Sequence, residues 1–90
     1  MNFGQALDAL NNGLKVRRAG WNGKGMWLIL VPGNDDRDLM PGTPYALAMP
    51  AASAVSINPH IDMMTATGQM QPGWLASQTD MLADDWEVVS

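Results

Sequence analysis

Ninety residues, 47% of them hydrophobic, make one domain, 1–90, with room for a single core. A net charge of −4 argues against binding of long DNA or RNA through phosphate neutralisation, but leaves room for a small nucleotide held by one or two local cations. Cysteine is absent and His60 is the one histidine, which excludes disulfides, thiol chemistry and a multi-histidine metal site within one protomer.

A chain this short hides only roughly 60–65% of the surface its unfolded form exposes, so self-association is expected. The N-terminal Met1-Asn2-Phe3-Gly4 has no basic region, and no signal peptide is expected. The longest apolar run, Met26 to Val31, is too short to span a bilayer. A cytoplasmic setting is expected, since the lack of cysteine fits a reducing compartment.

Phe3, Ala6, Leu7 and Leu10 fall at i, i+3, i+4 and i+7 and predict an N-terminal amphipathic helix. Asn2 caps it with Gln5 as capping-box partner, and Gly13 ends it. Leu14 to Arg18 alternates as a strand. Ala19 to Gly25 contains Asn22-Gly23, a hairpin signal. Met26 to Val31 reads as a strand apolar enough to be covered on both faces, by the helix or by a second subunit. Pro32-Gly33 ends it.

Asn34 to Pro50 is expected to be irregular, with Asp35, Asp36, Arg37 and Asp38 solvated and prolines at 41 and 44 preventing long regular structure. One strand is expected to start near Ala51 and run through Met64, with Ile57, Ile61 and Met63 on one face and Pro59 at an edge or bulge. Ala66 to Gln69 predicts a turn into a short strand, Met70-Gln71. Ser77 starts a short C-terminal helix with Asp80 as capping-box acid, and Asp85 to Val89 is a closing strand. The fold class is α+β: a small, mostly antiparallel sheet with a helix packed on it.

The block Trp74-Leu75-Ala76-Ser77-Gln78-Thr79-Asp80-Met81-Leu82-Ala83-Asp84-Asp85-Trp86 sets two indoles around hydroxyl, amide and carboxylate groups. It suits holding a small polar aromatic ligand better than transforming one. Elsewhere no nucleophile triad, phosphate loop or cofactor motif appears. Asp35, Asp36 and Asp38 lack the glycine and the terminal glutamate of a calcium loop. His60 and Asp62 share one side of a predicted strand, but no serine, cysteine or metal set accompanies them.

Phe3 to Leu7, Gly13 to Met26, Pro59 to Met63 and Trp74 to Trp86, in that order, resemble the phage-encoded Thoeris anti-defence proteins of the second type. Both ends of the chain carry the resemblance; 34–55 does not, and corresponds to a variable loop region. The resemblance implies a non-enzymatic sponge. Such proteins sequester glycocyclic ADP-ribose, the cyclic ADP-ribose-type signal of the Thoeris defence system, so the downstream effector stays off. It implies homotetramers with pockets between protomers, in the cytoplasm of an infected bacterium, and no cofactor. Some members also bind cyclic oligonucleotides at a separate site.

The residue types agree in kind. Adenine is read by stacking, for which Trp21 and Trp74 are candidates because Gly or Pro flanks them. Pyrophosphate calls for a cation, Arg18 or Arg17, or for the N–H groups opening the Ser77 helix. Asp80 would repel phosphate there, which suits capping or ribose binding instead, while Gln78 and Thr79 offer hydrogen bonds to ribose or the base edge. Each has a structural rival. Tryptophans in small domains usually fill the core, and that reading is taken for Trp27 and Trp86. Ser77 and Asp80 are explained by capping alone. Arg17 and Arg18 point opposite ways, so one at most enters a given pocket. An enzyme cleaving the messenger through His60, Asp62 or Asp80, and a phage structural or protein-binding module, stay open as alternatives.

Overall fold

A computed structural model describes residues 1–21 and 25–90. The expected turn at Asn22-Gly23 lies outside the described residues.

Helix α1 spans Phe3–Asn11. The Asn2 side chain accepts from the Gln5 amide at 2.8 Å, and Gln5 Oε1 accepts from the Asn2 amide at 2.9 Å. This capping box satisfies two helix-end donors at once. Gly13, at φ 80°, closes the other end. The apolar stripe buries Ala6, Ala9 and Leu10.

Five strands, β1 (Lys15–Arg18), β2 (Trp27–Val31), β5 (His60–Met64), β6 (Met70–Gln71) and β7 (Trp86–Val89), form an antiparallel sheet in the order β6-β5-β2-β1-β7. Alternation sends Val16 and Leu28 towards α1, where both are fully buried with Leu10 and Trp86. Ile61 and Met63 pack against the same core. The start of α1 is tied to β7 by the Trp86 amide, which donates to the Met1 carbonyl at 3.0 Å.

The sequence-based expectations need three corrections. Trp27 is not a core residue. Its neighbour Leu28 takes the core-facing position, and Trp27 lies half-buried on the opposite face with the Lys15 ammonium 5.1 Å from its ring centroid. Ile29 and Val31 are likewise half-buried, because α1 covers only the other face.

Asn34 to Pro50 is not irregular throughout. It holds β3 (Asn34–Asp38) and a short helix α2 (Pro44–Ala48) started by Pro44. Pairing of β3 with β4 (Ala54–Ile57) overrides the low strand propensity of its four charged residues. A register shift between Asn34 and Arg37 absorbs Asp36, whose φ of 56° suits an aspartate in the left-handed region.

The strand expected from Ala51 to Met64 is two strands. β4 and β5 are separated at Asn58-Pro59, since proline has no amide to give to the ladder. The turn before β6 and the helix after Ser77, α3 (Gln78–Leu82), lie where the residues placed them.

Candidate functional site

β1 leaves the sheet at Arg18, and its side chain is spent on carboxylates. Nε donates to Asp85 Oδ1 at 2.8 Å and one terminal nitrogen to Asp80 Oδ1 at 2.9 Å, with 15% of the side chain exposed. Asp85 Oδ2 accepts from the Gly20 amide at 2.8 Å. A Cβ on Gly20 would lie 2.7 Å from that oxygen, so any larger residue there would push the Asp85 carboxylate out of its bond. Arg18 thus joins β1, α3 and the turn before β7.

These bonds move the titrations. Hydrogen bonds from Arg18, then from the Gly20 amide, hold the Asp85 carboxyl below its ordinary range against a smaller opposing effect of burial. Burial pushes Asp80 up, but donors from Arg18, Ser77 and Trp21 outweigh it and its pKa falls. The bond to Asp85 is the larger cause, and that to Asp80 the next, of a raised Arg18 pKa.

Asp80 also caps α3 with Ser77: its amide donates to Ser77 Oγ at 3.0 Å and its Oδ2 accepts from the Ser77 amide at 3.3 Å. Oδ1 accepts from Trp21 Nε1 at 3.3 Å, and the Asp80 carbonyl accepts from Trp86 Nε1 at 2.9 Å. Gln78 and Thr79 are exposed beside this cap.

Phe3, Trp21, Trp74 and Trp86 form one aromatic cluster. Trp21 and Trp74 meet at 6.5 Å and 63°, Trp21 and Trp86 at 5.4 Å and 78°, Trp74 and Trp86 at 6.1 Å and 82°, and Phe3 packs beside Trp86 at 5.5 Å. Edge-to-face packing suits the indole quadrupole. It also means that Trp21 and Trp74 of one protomer are not parallel plates between which a base slides. Trp86 is 2% exposed, as a core residue should be.

A cleft of about 400 Å³ opens beside the cluster, lined by Arg17, Arg18, Ala19, Trp21, Gly25, Met26 and Glu87. Its volume falls in the range of small-molecule sites. Of the sequence candidates, Arg17, Arg18 and Trp21 line it, so both arginines border one cleft where alternation was expected to admit one at most, while Trp74, Ser77, Gln78, Thr79 and Asp80 do not. Asp80 supports it from behind through its bonds to Arg18 and Trp21.

Asp85 and Glu87 escaped the sequence reading. The signal was the β1–β7 register, which sets Arg17 opposite Glu87 and Arg18 opposite Trp86, next to Asp85. Arg17 Nε donates to Glu87 Oε1 at 2.8 Å, in the open, with 46% and 43% of the side chains exposed.

A second cleft, also of about 400 Å³, is lined by Arg37, Tyr45, Ile57, His60, Asp62, Pro72 and Gly73. Asp62, 7% exposed, binds His60 Nδ1 at 2.6 Å and accepts from the Gly73 amide at 2.9 Å. Burial raises its pKa, but the bonds from His60 and Gly73 outweigh that and the net shift is downward. With the Trp74 amide donating to the Ile61 carbonyl at 2.7 Å, this anchor sets where Trp74 enters the cluster. Among the described residues no group of acidic and histidine side chains could hold a metal ion.

The family model for the Thoeris anti-defense 2-like domain matches residues 1–89. Thoeris anti-defense 2 of Bacillus phage SP01 is 37% identical over 91 aligned positions, covering 100% of this chain and 96% of the relative. The chain therefore belongs to the Thoeris anti-defense 2-like family, and its role is anti-defence.

Proposed function

We propose that the protein sequesters a cyclic ADP-ribose-type signalling nucleotide, glycocyclic ADP-ribose, without cleaving it, and so silences Thoeris defence in the cytoplasm of the infected cell. The carrying observation is the cleft beside Trp21, where an indole and guanidinium groups stand within one nucleotide-sized hollow. Family membership agrees with it. No helix among the described residues is long and apolar enough to cross a membrane.

A sponge must outcompete a receptor. Nanomolar binding needs about −12 kcal/mol, whereas one stacked base supplies roughly 1–3 kcal/mol. The missing contacts come from a second protomer in this reading, with a homotetramer as the assembly. The half-buried outer face of β2, with Trp27, Ile29 and Val31, supports self-association, as do Leu75 and Leu82 at 89% and 82% exposure. In such an assembly Trp21 stacks on the base, and the exposed groups of Ser77, Gln78 and Thr79 serve ribose or the base edge, with Trp74 bracing Trp21. Cyclic oligonucleotides are the second ligand class to assay.

Incubating the protein with the messenger, denaturing it and weighing what is released tests the proposal. Unaltered messenger at full yield is expected. A product of changed mass overturns it in favour of an enzyme, and absence of uptake at micromolar concentration overturns it in favour of a structural or protein-binding module. Trp21→Ala should weaken uptake per folded molecule by roughly 1–3 kcal/mol.

A further inference from the structure

The cationic side chains among the described residues are Lys15, Arg17, Arg18 and Arg37. A pyrophosphate is read by donors that are free to turn to it, and Arg18 has few to offer. Two carboxylates hold it at 2.8 and 2.9 Å in a largely enclosed position. Arg18 also lines the cleft, but its Nε and one terminal nitrogen are committed to these carboxylates, and turning the guanidinium towards a ligand would strain the bonds that tie α3 to β1. Arg37 borders the other cleft, and the Lys15 ammonium is stationed over Trp27.

Arg17 shares the cleft with Arg18 but is held far less firmly. It lines the cleft and stands half-exposed. Among the described residues its side-chain bonding is to Glu87, through Nε alone. Its two terminal nitrogens are the part of a guanidinium fork that binds phosphate oxygens in pairs.

We propose that Arg17 is the specificity-determining cation of the cleft, reading the ligand's pyrophosphate, and that Glu87 is its built-in competitor. This rests on the sequestration reading above. Ligand binding exchanges a carboxylate for a phosphate oxygen on the same guanidinium. A neutral nucleoside gains nothing from the exchange, and a singly charged one little more than the lost pair. A multiply charged group recovers the cost, so the pair favours pyrophosphate-bearing ligands.

Calorimetric titration of Arg17→Ala, Arg17→Lys and Glu87→Gln with glycocyclic ADP-ribose, and with inorganic pyrophosphate as probe of the anion contact, is the test. Melting temperatures near wild type are expected, since the pair is exposed. Arg17→Ala should bind the messenger about tenfold to a hundredfold more weakly, with a flatter salt dependence, and Arg17→Lys should recover part of the loss. Glu87→Gln should bind more tightly. If wild type takes up the messenger and Arg17→Ala does so equally well per folded molecule, this inference falls and sequestration stands. Weaker binding by Glu87→Gln removes the competitor role. If wild type takes up no cyclic ADP-ribose compound, both readings fall together.

Discussion

Arg17 and Arg18 are adjacent in the chain and have opposite fates. Alternation left them unequally exposed, 46% against 15%, but did not keep one out of the cleft: both line it, against the expectation that one at most would enter, because the cleft sits at the end of β1, where the chain leaves the sheet. Which arginine meets which acid was not legible, since Asp80, Asp85 and Glu87 lie more than sixty positions downstream. Trp21 and Trp74 show the same limit: their flanks suggested reachable indoles, yet both pack against the core cluster. Asp80 is the residue at which these contacts converge. Asp80→Ala would leave Arg18 and Trp21 Nε1 each short of an acceptor, and a loss of about 1–3 kcal/mol in denaturant unfolding is expected. An unfolding midpoint within error of wild type would show that its bonds are surface decoration.

Local chemistry set most of the elements. Asn2 with Gln5 and Ser77 with Asp80 each formed the capping box that their spacing announced. Asn2→Ala should cost about 0.5–2 kcal/mol, and Gln5→Ala in that background should add little, because the two caps act on one helix end. Full additivity in a double-mutant cycle would refute their coupling. Elements failed to be legible where pairing across the chain overrode composition. β3 reads as a solvated acidic loop, and becomes a strand because β4 offers it a partner with a bulge at Asp36. The break at Pro59 was visible as a proline, but not as the boundary between two sheets.

At the scale of the molecule, three lowered aspartates tie distant parts together: Asp80 and Asp85 through Arg18, and Asp62 through Gly73. An aspartate with a lowered pKa in the folded state contributes fully above its unfolded value, about 3.9, and loses that contribution as pH falls through the folded value. Thermal stability should therefore hold from neutrality to about pH 5 and fall below about pH 4. A melting temperature unchanged down to pH 3 would contradict these ion pairs. The raised Arg18 pKa has the opposite sign, its contribution being lost only in strong alkali. The sequence by itself determined the α+β class, the capped helices, the core-facing choice of Val16 and the small size that invites self-association, because periodicity, caps and chain length act locally or through composition. Only the tertiary structure decided that Trp27 faces outward, that the three other indoles meet edge to face, and that the cleft has Arg17 and Glu87 on its wall. Those outcomes depend on which strands become neighbours and in what register, and that is settled by contacts between residues far apart in the chain.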